Sequence, residues 1–283
     1  MKKSATLAAS LVGLVLGSAP LHVAAQAAGD EWKFSLMPYL WLPSLDGSLR
    51  YGPPSAGGAS PKVSIDSDTL LSDLEFAFMV TGEARKGKWS IMTDFMYLDL
   101  SSANSGVKSI DFNPGSGPIN LTNTALDAGT STKVKGTVWT LAGGYAVVQE
   151  PHATVDIIGG FRYFDLEATT NWRLSATVAG PAGGALTFGR TGSVTKSDSL
   201  WDGIVGVRGR FKLGEGNWFA PFYLDVGAGD SQFTWQAMAG GGYAFKWGDV
   251  VLAYRYLSYE QGGNKLVEDL RLGGFALGVN FRF

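Results

Sequence analysis

The sequence predicts an all-β chain: a single closed antiparallel β-barrel of about ten strands, within a range of eight to twelve, that crosses a membrane and carries long extracellular loops. Three observations lead there. The run closing the sequence is apolar at every second position, Phe275, Leu277, Val279, Phe281 and Phe283, interleaved with Gly274, Ala276, Gly278, Asn280 and Arg282, which is a strand with one greasy and one polar face. Charged residues inside strand-like segments keep to one parity along the whole chain. Glycine, at 39 of 283 residues, is about twice its usual ~7%, and it comes with abundant aromatics, the pair that a curved, membrane-bounded wall asks for.

The elements follow in order. Lys2 and Lys3 precede an apolar stretch from Leu7 to Leu16, then Pro20 and a small-residue exit at Ala25, Gln26 and Ala27. These are the three parts of a secretory signal peptide, so residues 1–27 are expected to be cleaved and 28–283 to form the barrel. No later run approaches the ~20 consecutive apolar residues of a helical span. Period-two alternation marks segments 32–42, 74–85, 89–98, 137–147 and 154–164, then 201–211, 218–228, 233–245, 250–259 and 272–283. Each is near the ~9–11 residues of a tilted membrane strand. Tight connections at 86–88, 148–153, 212–217 and 246–249 alternate with long polar stretches at 43–73, 99–136 and 165–200 and shorter ones at 229–232 and 261–271. That asymmetry is expected of short periplasmic turns and long extracellular loops. Within the third stretch, residues 172–178 and 185–188 flank the Gly-Pro and Gly-Gly pairs of 179–184, a turn signal, so a hairpin there is expected to project beyond the membrane.

One face of these segments carries Trp32, Phe34 and Leu36, Phe76, Phe78 and Val80, Trp139, Leu141 and Tyr145, Phe222, Leu224 and Val226, with no ionisable group. The other carries Lys33, Arg85, Arg162, Arg208, Arg210, Arg255 and Arg282 against Glu75, Glu83, Asp94, Asp156, Asp202 and Asp225. A charge facing lipid at the midplane costs ~2–4 kcal/mol, so the charged parity belongs to the lumen. A soluble sandwich would bury the clean face instead, but it does not explain aromatics crowding the periplasmic strand ends at Trp32, Trp89, Tyr145, Phe211, Trp218, Phe245 and Phe283, where a girdle belongs.

The runs Pro38-Tyr39-Leu40-Trp41-Leu42-Pro43, Asp73-Leu74-Glu75-Phe76 and Arg85-Lys86-Gly87-Lys88-Trp89, with the closing aromatics, resemble a family of uncharacterised proteobacterial outer-membrane barrels. The resemblance implies fold and location, the outer membrane of a Gram-negative bacterium reached through the periplasm, and carries over no activity. Phe283, with Phe281 on the same face, resembles the signal read by the barrel-assembly machinery. Expected partners are therefore outer-membrane lipids and lipopolysaccharide, with that machinery during biogenesis.

Chemistry is scarce. There is no cysteine, and of two histidines His22 leaves with the leader while His152 falls in a periplasmic turn, so familiar nucleophilic catalysis lacks a base. Asp66, Asp68 and Asp73 lack the glycine and distal glutamate of a calcium loop and read as solvated. Glu75 and Glu83 read as ion-pair partners rather than a glycosidase pair. No catalytic residue, metal or cofactor is expected, and a formal charge of −2 gives no basic face for nucleic acid. The expected lumen network is Glu75, Glu83, Arg85, Asp94, Asp156, Arg162, Asp202, Arg208, Arg210, Asp225 and Arg255, its charges nearly cancelling and so giving little ion selectivity. Ten strands exceed only slightly the eight-stranded size that side chains fill, and Met37 and Tyr223 add inward bulk. The function expected is a narrow porin-like channel for small solutes, constricted at Tyr39, Trp41 and Tyr259. The alternative is an occluded scaffold that binds through its long loops, with an outer-membrane enzyme third.

Overall fold

Alternation becomes a closed wall. The computed structural model describes residues 31–49, 62–65, 73–102, 124–179, 185–261 and 267–283; the expected leader at 1–27 and the loop acids Asp66 and Asp68 lie outside them. The strands are β1 (Trp32–Leu49), β2 (Lys62–Ile65), β3 (Leu74–Lys86), β4 (Trp89–Ser102), β5 (Thr124–Glu150), β6 (Ala153–Ala179), β7 (Ala185–Lys212), β8 (Trp218–Gly229), β9 (Phe233–Ala244), β10 (Gly248–Glu260) and β11 (Val267–Arg282). Each pairs antiparallel with its sequence neighbour, except that β1 meets β3 along its first half and the short β2 along its second. Pairing of β1 with β11 closes ten of them into a barrel. All ten expected segments are present, and closure leaves no free edge at the level of the belt.

The seam between β1 and β11 shows why sequence and closure agree. Phe283 donates its backbone N–H to Phe34 O at 2.9 Å and accepts from Phe34 N at 3.2 Å, so the closing residue completes the ladder. Higher on the seam a Cβ on Gly274 would stand 2.0 Å from Leu42 O, and only glycine permits that approach. At the opposite end of β3, Gly87 has φ 57° at the first position of a two-residue turn, the left-handed conformation such hairpins favour.

Three strands are far longer than a membrane crossing needs. β5 and β6 have 27 residues and β7 has 28, about 90 Å at ~3.3 Å per residue. β6 and β7 stay paired from Ala153–Phe211 to Ala179–Ala185, so residues 165–179 and 185–200 of the polar stretch, expected to be mostly loop, are paired strand. β4 leaves β5 at the Ser102–Thr132 pair and β8 joins β7 only at Asp202–Gly229. Among the described residues a three-stranded sheet therefore stands beyond the rim. Threonines at 169, 170, 177, 187, 191 and 195 supply the strand preference of β-branched residues there.

Outward residues form an apolar belt, including Phe34, Leu36, Phe78, Ile91, Ile157, Val205, Leu224, Leu252, Phe275 and Leu277, all exposed. It has aromatic margins at both ends. Trp89 packs on Tyr145 at 4.9 Å, Trp218 on Tyr243 at 5.1 Å and Trp247 on Phe281 at 5.7 Å near the short turns. Tyr163 and Trp201 at 4.7 Å and Trp235 and Tyr256 at 4.9 Å mark the far margin.

Candidate functional site

The lumen is the place where chemistry-bearing side chains meet. Nearest the short turns, β3 brings Glu83 and Arg85, β6 brings Asp156 and β7 brings Arg208. Arg85 Nε donates to Glu83 Oε1 at 2.8 Å, and its Nη1 reaches Asp156 Oδ1 at 3.1 Å while Nη2 meets Oδ2. Arg208 completes the ring, with Nη1 on Glu83 Oε2 at 3.0 Å and Nη2 on Asp156 Oδ2 at 3.2 Å and on Ser90 Oγ at 3.1 Å. Two guanidinium groups and two carboxylates alternate, so every charge has opposite neighbours on both sides, the arrangement that offsets desolvation of buried ions.

A thin apolar layer follows, Met92, Ala142, Ile158 and Tyr223. Above it lie two further centres. Arg255 gives Nη2 to Asp94 Oδ2 at 2.7 Å and to Gln236 Oε1 at 2.8 Å, and Nη1 to the Tyr39 hydroxyl at 2.9 Å. Tyr39 and Thr81 in turn donate to Asp94 Oδ1 at 2.7 and 3.0 Å, and the guanidinium sits 5.0 Å from the Trp41 ring, within cation–π range. Alongside, Arg162 pairs with Asp225 and donates Nε to Thr140 Oγ1 at 3.2 Å and Nη1 to Thr234 Oγ1 at 3.4 Å.

One inward position further along each strand the character changes. Tyr39 gives way to Trp41, Asp94 to Met96, Thr140 to Val138, Arg162 to Phe164, Asp202 to Leu200 and Arg255 to Leu257, and these join Met79, Tyr259, Leu270 and Leu272 in one buried cluster. Phe164 and Tyr259 stack with ring centroids 4.7 Å apart, and Trp41 Nε1 donates to Gly274 O at 3.1 Å. Layers of inward residues at matched height are how a small barrel fills itself.

Of the residues expected in one lumen network, Glu83, Arg85, Asp156 and Arg208 come together in the ring, Asp94 and Arg255 in the second centre, and Arg162 and Asp225 in the third. Asp202 lies across the ladder from Arg162 and has no ion pair among the described residues. Glu75 stands apart: the ladder shifts register between Leu74 and Phe76, a bulge that breaks parity, and its carboxylate lies 3.6 Å from Lys133 Nζ, both half-exposed. Arg210 also stands apart, at the short-turn end 3.7 Å from Asp249, which Arg282 also pairs at 3.1 Å. There it lines an open cavity of about 330 Å³ with His152, Lys212, Trp218 and Phe219. The expected constriction is split, with Tyr39 in the Arg255 centre and Trp41 and Tyr259 within the apolar cluster. Phe281 and Phe283 face outward at the seam.

Sequence reasoning missed the neutral partners, Ser90, Thr81, Thr140, Thr234 and Gln236, although they share the parity of the charges they serve. It also read Asp249 as a turn residue, whereas Asp249 is buried in β10 and accepts from Asn280 Nδ2 at 3.1 Å.

No family model matches the chain, and no curated protein matches it. Solved structures similar to it include Ail of Yersinia pestis, at 10% identity and TM-score 0.30 over 90% of this chain and 99% of that one. Neisserial surface protein A has 10% identity and TM-score 0.29 over 89% and 97%, and the Pseudomonas putida toluene transporter TodX 11% and 0.30 over 91% and 90%. At such values the resemblance decides nothing about what this chain does.

Proposed function

We propose that this chain is an integral outer-membrane barrel of a Gram-negative bacterium, without catalytic activity, that acts as a sealed scaffold holding the β5–β7 sheet outside the membrane. What supports the location is the continuous apolar belt with an aromatic margin at each end, which water would not tolerate but hydrocarbon and headgroups match. Its surroundings on this reading are lipid and lipopolysaccharide, with the barrel-assembly machinery acting during biogenesis. His152 is exposed in the β5–β6 turn.

The observation that favours a scaffold over a narrow channel is the filled lumen. Arg162, Asp156, Trp41, Leu257 and Tyr259 are all fully or almost fully buried, so a permeating ion would have to displace an apolar layer and then a paired network. Bilayer recordings of the refolded protein and of its Trp41→Ala/Tyr259→Ala variant test this. Both are expected to be silent, because removing two rings leaves the charged layers beneath them intact. Discrete conductance steps in the wild type would restore the narrow-channel reading.

A further inference from the structure

The β8–β9 turn caps one corner of the lumen, and four buried polar residues in and around it carry side-chain atoms without a partner. Asp202 is 1% exposed, and its Oδ1 accepts the Ser231 N–H at 2.9 Å while Oδ2 has no partner. Ser231 is 2% exposed with its Oγ unpartnered, and Gln261 is 7% exposed with both Oε1 and Nε2 unpartnered. Gln232 N bonds Glu260 O at 3.0 Å, which brings the backbone of Ser231 and Gln261 alongside one another, and Ser231 is held to Asp202 by its own N–H. The Tyr259 hydroxyl, also unpartnered, lies within electrostatic range of Asp202, Asp225 and Arg162.

Charge distinguishes this corner from ordinary packing gaps. The ring of Glu83, Arg85, Asp156 and Arg208 is balanced, and Asp94 is balanced by Arg255. Arg162 has two acids for neighbours: it pairs with Asp225 and sits across the ladder from Asp202, yet three of its five N–H groups go to Asp225, Thr140 and Thr234, and among the described residues its ion pair is with Asp225 and not with Asp202. Asp202 is left as a buried carboxylate with one amide donor and no cation among the described residues. A buried polar atom without a partner calls for a water or an ion, and a buried charge calls for an opposite charge. A water satisfies the first demand and not the second.

We propose that this corner binds one hard monovalent cation, held by Asp202 Oδ2 with the Ser231 hydroxyl and the Gln261 amide oxygen. The donors are all oxygen, the set that hard cations prefer. The excess is a single negative charge, and the described residues include no group of three or more acids, histidines or cysteines placed for a metal, which disfavours a divalent ion. The site rests on the packed lumen and stands whether the barrel is scaffold or channel. Bound there, the ion would tie β7, the β8–β9 turn and the end of β10 together at the rim, where the wall is lowest.

The experiment is thermal unfolding of the refolded protein in neutral detergent, with sodium chloride replaced stepwise by choline chloride at constant total salt, since choline is too large for the corner. Expected is a midpoint that rises roughly 3–6 °C for each tenfold increase of sodium beyond its dissociation constant. Asp202→Asn should abolish that dependence while melting, in choline alone, at or above the wild type, because the amide keeps the shape and removes the uncompensated charge. Gln261→Ala, a milder change, should keep the dependence but shift it to higher sodium. A wild-type midpoint indifferent to sodium, with Asp202→Asn unfolding like the wild type, would mean that a proton or water fills the corner and would overturn the proposal. So would a sodium dependence that survives in Asp202→Asn, or a response to micromolar calcium without one to sodium.

Discussion

Replacing Arg162 by alanine is the sharpest test of the packed lumen. Its guanidinium and the Asp225 carboxylate are both 0% exposed, and it also donates to Thr140 and Thr234. Removal strands the Asp225 carboxylate in the lumen without its guanidinium. Breaking a buried pair from one side costs ~3–5 kcal/mol, and for a domain of this size ~1 kcal/mol moves the midpoint by roughly 2–4 °C. Arg162→Ala should therefore unfold roughly 6–20 °C below the wild type, followed by β-sheet circular dichroism or by loss of the compact band on gels of samples heated stepwise. Lys246→Ala, in an exposed turn, should change the midpoint by less than about 2 °C, since surface substitutions stay within ±0.5 kcal/mol. The double variant Arg162→Met/Asp225→Leu should recover most of the loss, because removing both members of a buried pair is often neutral. An Arg162→Ala midpoint within about 2 °C of the wild type would refute the reasoning and mean that the lumen is wet.

Purified protein should run as a compact band before boiling and an extended one after, because a closed barrel has no edge for detergent to open; a chain that stays soluble and monomeric without detergent would sink the membrane assignment. Gly274→Val should sharply reduce the amount of heat-modifiable barrel, since its Cβ would collide with Leu42 O at 2.0 Å, whereas Gly241→Ala, with nothing within 4 Å of its Cβ, should assemble normally; equal yields would show that the seam can shift. Removing Phe283 takes away both backbone bonds to Phe34 and should lower the assembled fraction severalfold in outer-membrane preparations. Undiminished assembly would make that residue incidental.

The sequence by itself determined the wall. Whether a residue faces lipid or lumen is a local property of alternation, so the ten strand positions, the apolar belt and the parity of Arg85, Asp94, Arg162 and Arg255 were all legible, and the tight turns told which end was which. Even the pairing of 172–178 with 186–192 was partly legible, since strand-like runs flank the Gly-Pro and Gly-Gly pairs in the sequence. Its continuity with the barrel was not, because the polar residues of 165–179 and 185–200 lack the apolar–polar alternation that reveals a membrane strand. A bulge is likewise silent in sequence, and that is why Glu75 left the lumen.

What only the tertiary structure decided is who meets whom inside. Arg255 and Asp94 are 161 residues apart and Arg85 and Asp156 are 71 apart. Their meeting depends on strand stagger around the closed barrel, a property of all ten strands together rather than of any one. The same stagger puts Trp41, Met96, Phe164 and Leu257 at one height, so side chains that read separately as inward bulk become a plug. It also gives Arg162 to Asp225 and leaves Asp202 without an ion pair among the described residues. Closure distributes the charges, and a single strand carries no record of that distribution.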